Sequence, residues 1–594
     1  MGELKLNWNL DNIIKLEDFD GFYRSIESRL PMYDEFFKYM SPGMDSSKFL
    51  EFLEFDEKML TDLEKLIKRA SLMEAVNQKS EEAKMLLSRA KDLYQKHEDS
   101  SRKISHWIKG KTIGDKPPLD HSNAKRLFKS FPGLRYVLIK NRNSAKYTLS
   151  EEAESIIAEK DINGVNVLKE LREYHATKLR YKLEVRGREP VMIENESDLT
   201  DLFYSHDSDE RKAAYLAHNT KYKESIMEFF MIYQAVVKDW VNEAKRKKYK
   251  SPISMKNYEN DCPDKAVEAM MQVCSENVGI FQDYFRWKSK QLGMLKLKRF
   301  DIYAPLRAAE GLYIPFQDAI AIVMNAFEEF SQGFASKSRE ITDANHIDSH
   351  PRKMKQSDWF CETVAPDITP YLHLNYKGRL NDVVNLAHEF GHGIHSLYSR
   401  HNSFSAHEPS LPLAETASTF AESLVFERLF ESAESDDARK AMLSKNLEES
   451  YASIMRQNYF VKFEMKSHEI MNKGVTPEQL SDIYLSFLNE QFGESVDIDP
   501  SFKYEWASVS HIVDTPFYCY SYNFGDLLAL SLFRMYKNEG SSFIPKIEKI
   551  LSYGGSAEPK NILKEVGIDM SDRKFWQGSF DILRERQQIL EKYG

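Results

Sequence analysis

Between Phe49 and His97 the apolar residues Leu50, Leu53, Phe55, Leu60, Leu63, Leu66 and Ile67 recur mostly at three- and four-residue steps within Lys- and Glu-rich sequence. That period lines one face of a helix, and a Glu/Lys exterior is usual for long antiparallel hairpins. Gly110, Gly114, Pro117 and Pro118 punctuate the end of the region. Residues 119–200 read as further helices packed on this first lobe, and another helical run extends from near Leu202 to about Leu292. Strand signals are few. Phe300–Ala304 alternates weakly and Tyr371–Tyr376 more clearly, the latter ending at Lys377-Gly378. From 381 to 594 the pattern is helical again, broken near 401–412, 497–501 and 553–559, with no internal repeat. The expected fold is mainly α, with a small β-sheet beside the helix that starts near 381. We divide the chain into an N-terminal helical lobe, 1–200, and a catalytic region, 201–594.

Composition removes several function classes. The chain has 594 residues, a length that by itself gives a prior of roughly four domains, although large helical enzymes wrap one extended core. The net charge of −10 gives no general attraction to nucleic acid or to anionic membrane. Cys262, Cys274, Cys361 and Cys519 are scattered, which argues against a disulfide framework or a cysteine zinc site. The segment Met1–Trp8 is too polar for a leader's apolar core, and no stretch reaches the roughly 20 apolar residues that cross a bilayer. The sequon at Asn195 is then read as chance, and the expectation is a soluble cytoplasmic protein with no nucleic-acid or membrane partner. Lys245-Arg246-Lys247-Lys248 reads as a solvated helix face. Gly110-Lys111-Thr112 has Ser105 where a phosphate loop needs its first glycine, and no Gly-x-Ser-x-Gly elbow occurs.

The strongest chemical signal is His388-Glu389-Phe390-Gly391-His392. Asn381 or Asp382 can cap the helix, and Val383, Ala387, Phe390, Ile394 and Leu397 form one apolar stripe. Histidines four apart project from one face, so a single helix can supply two nitrogens to one zinc ion. Glu389 is offset by about 100°, near enough to reach a metal-bound water without binding the metal. Gly391 and Gly393 each weaken the helix by about 1 kcal/mol relative to Ala, which points to something approaching its backbone. A buried helix whose histidines merely bond to neighbours is the bland alternative.

A catalytic zinc takes three protein ligands and keeps one position open. Glu415 is the best third ligand: Pro412 suits the first turn of a new helix, and a carboxylate is favoured near a helix N-terminus. His395 and Glu422 are its rivals, and Glu422 can instead orient a ligand from behind.

These residues resemble the thimet oligopeptidase and oligoendopeptidase F family of zinc metallopeptidases. His388–His395 resembles its metal helix, Ala414–Glu422 its third-ligand helix, and His511–Tyr522 its substrate-stabilising segment. Asp301–Leu306 also looks like an oligoendopeptidase F segment. The likeness runs over roughly 200–590. It implies one zinc ion per chain held by His388, His392 and Glu415, with Glu389 as general base toward a zinc-bound water. It also implies that His511, Tyr518 and Tyr522 hydrogen-bond the tetrahedral intermediate. Asp514-Thr515-Pro516 stands where thimet-type members have a glycine-rich loop, so the segment is nearer the oligoendopeptidase F pattern and Tyr520 is an alternative to Tyr522. Two helical lobes around a deep channel, admitting short unstructured peptides, are further implications. The Tyr371–Tyr376 run is expected to pair with the peptide backbone. A helical zinc carboxypeptidase with the same His-Glu-Phe-Gly-His is the alternative enzyme, and a peptide-binding protein without turnover the alternative class. Oligomeric state has no signature in the sequence.

Overall fold

The computed structural model describes residues 7–306 and 313–593, so the polar segment Met1–Trp8 lies mostly outside the described residues. The chain forms two compact units, each gathered from three stretches. One comprises Met1–Lys146, Leu312–Glu431 and Leu532–Asp569; the other comprises Tyr147–Gly311, Ser432–Ser531 and Met570–Gly594.

In the first unit the expected hairpin is formed by α1 (Ser46–Val76) and α2 (Glu81–Ile108). Asp45 caps α1 by accepting from Ser47 N–H, and Ser80 caps α2 by accepting from Ala83 N–H. Phe49, Phe52, Met59 and Leu63 of α1 and Leu86, Ala90 and Leu93 of α2 are buried, whereas Leu50 faces outward. The same core takes in Val364, Ala365, Ile368 and Tyr371, which ties the hairpin to a small sheet.

That sheet has three strands: β1 (Ile347–Asp348), β2 (Phe360–Glu362) and β3 (Tyr371–His373). The Tyr371–Tyr376 strand signal is borne out over Tyr371–His373, and β3 is the central strand, parallel to β1 and antiparallel to β2. Beyond it, Leu374 and Tyr376 N–H still donate to Asp348 and Ser349 carbonyls at 2.8 and 2.9 Å. Tyr371–His373 is paired on both sides and has no edge left for a peptide, so strand addition there is ruled out. The edge is β2.

The helix α3 (Leu380–Ser399) follows directly. It begins two or three residues earlier than a cap at Asn381 or Asp382 would place it, with Arg379 at the N-cap. Asp382 lies in its first turn and accepts from Lys377 and Arg379 N–H at 2.8 and 3.1 Å. Val383, Ala387, Phe390, Ile394 and Leu397 are all buried, as their spacing predicts. A short helix, Leu411–Ala414, carries Pro412 in its first turn and leads through Glu415 into α4 (Thr416–Ser432). The two helices meet at Gly391, where an added Cβ would lie 2.4 Å from Ser418 Cα. This close approach is what the glycine permits.

The second unit is also mainly helical, with paired strands at Tyr181–Leu183 and Val191–Ile193 and at Leu297–Lys298 and Val496–Asp497. The alternation at Phe300–Ala304 does not make a strand; Arg299–Asp301 is a 3-10 turn. A pleated strand would put Arg299 and Asp301 on one face. Each is buried and drawn to a different element instead, Arg299 to Glu505 at 2.6 Å and Asp301 to Arg211 at 2.5 Å. Among the described residues no helix is long and apolar enough to cross a membrane. None of the four cysteines is in a disulfide among the described residues.

Candidate active site

The first unit brings His388, His392 and Glu415 together. Nε2 of His392 lies 3.1 Å from Nε2 of His388, and Glu415 Oε2 lies 3.4 Å from each. The helical step sets the first pair, and the Gly391 crossing brings the start of α4 to them. Ser418 Oγ donates to Glu415 Oε2 at 2.9 Å and fixes the carboxylate. Among the described residues this is a group whose ligand atoms could hold a metal ion. Two imidazole nitrogens and one carboxylate oxygen converging on one point are a donor set that zinc accepts, with a fourth position open. The residues fit the metal.

Glu422, one of the two rivals, stands behind His388: its Oε1 lies 2.5 Å from Nδ1. This contact leaves Nε2 as the nitrogen that faces His392 and Glu415. Burial alone would push His388 down, but the attraction of Glu422, Glu389 and Glu415 raises it to about 10. Burial and the charge of His388 hold His392 below its usual value, and the two histidines draw Glu415 below its own against the opposing effect of burial. His395, the other rival, lies outside the group. It is buried, Nδ1 has no partner among the described residues, and burial together with His392 and His407 pushes it down to about 3.

Glu389 is 5% exposed, and its Oε2 has no hydrogen-bond partner among the described residues. Burial, reinforced by Glu415 and Glu422 against the pull of His388, pushes it up to about 7. Its carboxyl lines a cavity of about 370 Å³ shared with His388, His392, Glu415 and the edge strand β2.

His511, Tyr518 and Tyr522 form their own cluster in the second unit. Tyr518 stacks on the His511 ring with centroids 5.8 Å apart, and Tyr522 Oη lies 3.3 Å from His511 Nε2. Tyr520 turns inward: it is buried, and its hydroxyl accepts from Asn260 Nδ2 at 2.7 Å. Burial lowers the His511 pKa, with Arg172 and Arg456 adding to the effect and Asp514 opposing it.

The family model for peptidase family M3 matches residues 202–582. The chain belongs to peptidase family M3. It is thus a metallopeptidase, and its similarity runs to the oligoendopeptidase F branch. It is 25% identical to an oligoendopeptidase F homolog of Lactococcus lactis subsp. lactis over 99% of this chain and 97% of that one. It is 24% identical to an oligoendopeptidase F homolog of Borreliella burgdorferi, over 98% of each. The fold matches the crystal structure of oligoendopeptidase-F from Enterococcus faecium with a TM-score of 0.71, at 21% identity over 97% of this chain and 99% of that one. A crystal structure from Chlamydophila abortus matches with a TM-score of 0.88 at 23% identity, over 99% of this chain and 98% of that one.

Two supports of this M3 peptidase escaped the sequence reading. Arg172 Nη2 donates to the Ser508 carbonyl at 2.7 Å and to that of Ala507 at 3.3 Å, pinning the chain just before His511. Glu464 is fully buried, and its Oε1 accepts from Phe517 N–H at 2.6 Å. Phe517 has φ +62°, a left-handed conformation uncommon for a bulky side chain and costing of order 1–3 kcal/mol. Glu464 thus holds a strained turn between His511 and Tyr518. No signal in the sequence separates it from the many glutamates of helix exteriors.

Proposed function

We propose that this chain is a zinc-dependent endopeptidase that hydrolyses internal bonds of short unstructured peptides. His388, His392 and Glu415 hold one zinc ion per chain, and Glu389 is the general base. The observation that carries the reading is the Glu389 carboxyl: buried, with an unpartnered oxygen, on the wall of the cavity that the three ligand atoms share. Zinc bound there would supply a Lewis acid that polarises the scissile carbonyl and makes water acidic near neutral pH. Glu389 accepts a proton at Oε2 from the attacking water and returns it to the leaving amine. A carboxyl pushed up to about 7 is suited to both transfers. Glu422 holds the His388 ring by Nδ1 and keeps its orientation. His511 and the phenols of Tyr518 and Tyr522 donate to the developing oxyanion; a phenol keeps its proton at pH 7 and needs no activation.

The peptide main chain pairs with the edge of β2, in place of the Tyr371–Tyr376 run, so preference for substrate sequence is broad at the backbone level. The exclusion of folded proteins rests on the deep channel between helical lobes that the resemblance implies. Residues 201–594 carry the catalytic region and 1–200 the N-terminal lobe. We place the protein in the cytoplasm, with no nucleic-acid or membrane partner. The names of the relatives favour the endopeptidase over the carboxypeptidase.

Glu389→Gln tests the mechanism. The variant keeps its zinc, measured by elemental analysis, and loses turnover of an internally quenched peptide by at least about a hundredfold. Near-normal turnover with zinc bound would remove Glu389 from the reaction.

A further inference from the structure

The cavity beside the metal group carries more negative charge than the proposed reaction uses. Lys68 is shared between Glu362 at 2.7 Å and Glu64 at 3.2 Å, so two carboxylates already divide one ammonium. Glu408 lines the same cavity as Glu362 and has no ion-pair partner among the described residues. It is exposed, and its pKa is raised, first by burial, with Lys68 opposing and Glu362 and Glu64 adding to the rise. Glu389, on the same cavity wall as the metal ligands, likewise leaves an oxygen without a partner.

Glu408 is held in place by its backbone. A Cβ at Gly555 would lie 2.3 Å from the Glu408 carbonyl oxygen, and one at Gly554 would lie 2.1 Å from that of His407. Gly555 N–H also donates to the Ala406 carbonyl at 3.0 Å, and His407 Nε2 lies 2.9 Å from the Ser396 carbonyl. This chain segment therefore sits on a glycine pair that no larger residue could replace without moving it. Trp359, which precedes the β2 edge, also lines the cavity.

We propose that Glu408 makes this cavity a subsite for a cationic group of the bound peptide, either the side chain of Lys or Arg or the terminal amine. The inference rests on the peptidase reading above. A carboxylate with no ion-pair partner among the described residues, beside two others that already share one ammonium, offers an incoming ammonium or guanidinium a charge partner and orients it. A neutral or acidic group gains nothing there, and an acidic one is repelled.

The test uses quenched peptides in which Arg is walked through three positions on each side of the cut, each paired with its citrulline counterpart, and each made with a free and with an acetylated amino terminus. At one position the wild type should favour Arg over citrulline by about tenfold in kcat/KM, mostly through KM. If acetylation removes a preference of that size instead, the amine is the cation bound. Glu408→Gln should bring the ratio close to one, and Glu408→Lys should shift the preference to Glu at that position. A wild-type ratio near one throughout, with either terminus, overturns the subsite and leaves the peptidase reading standing. A ratio in Glu408→Gln equal to that of wild type, whatever the loss in overall rate, also overturns it. Failure of the wild type to cut any peptide overturns both.

Discussion

Oε1 of Glu422 lies 2.5 Å from Nδ1 of His388, on the edge of the imidazole opposite the nitrogen that faces His392 and Glu415. A carboxylate in that place fixes the ring's tautomer and strengthens it as a ligand. Removing such a partner commonly weakens metal binding by about 10- to 100-fold. Glu422→Ala is therefore predicted to lower zinc affinity in that range, measured by competition with a chelator. An unchanged affinity would make Glu422 a bystander.

The two glycines of the metal helix should not behave alike. Ala at Gly391 would place its Cβ 2.4 Å from Ser418 Cα and 2.6 Å from the Ala417 carbonyl oxygen, both backbone atoms that cannot turn aside. Ala at Gly393 meets Cδ1 of Ile341 at 2.6 Å, the free end of a flexible side chain. We expect Gly391→Ala to destabilise the protein by roughly 1–3 kcal/mol or more and to lower zinc content, because α4 carries Glu415 away from the histidines. Gly393→Ala should fall well short of that on both counts. Thermal unfolding with metal analysis separates the two.

How much of this was legible in advance follows from what sequence spacing can report. His388 and His392 were legible because four residues are one helical turn, and Glu415 because Pro412 marks a fresh helix. The contact that unites them was only half legible: the glycines of α3 announced a close approach without saying that Ser418 makes it. The pairing of β3 on both sides was not legible, since alternation shows that a strand exists but not how many neighbours it has. Glu408, Glu464 and Arg172 were invisible for a similar reason. Their partners lie far away in sequence or, for Glu408, are missing, and a single charged side chain has no period.

The strained turn at Phe517 gives a further prediction. Glu464→Gln keeps an oxygen that can accept from Phe517 N–H, whereas Glu464→Leu leaves that group buried without a partner, a loss of about 1–3 kcal/mol. Glu464→Leu should be the less stable and should lower kcat more than it raises KM, because Tyr518 and Tyr522 follow the turn. Equal behaviour of the two variants would break the link between the buried carboxyl and the turn.

His468 gives a pH signature of its own. It is buried, Nδ1 lies 2.8 Å from the Glu464 carbonyl, and burial pushes it down to about 4. Unfolded, it titrates near 6.5. Above that pH both states are neutral and it adds no pH dependence. Between 6.5 and about 4 only the unfolded state takes up the proton, so stability falls with pH by roughly 3 kcal/mol from this residue. In His468→Gln the difference in unfolding free energy from wild type should vary with pH across that window and be flat above it. A pH-independent difference would show that His468 does not titrate as described.

The central claim is metal-dependent cleavage inside a peptide chain. Its most direct test is mass spectrometry of the products from a mixed pool of short peptides with amidated C-termini, before and after chelation and after zinc is restored. The account predicts internal cuts that vanish with the chelator and return with zinc. Cuts that survive complete removal of the metal, or the absence of any internal cut in the amidated peptides, would contradict it.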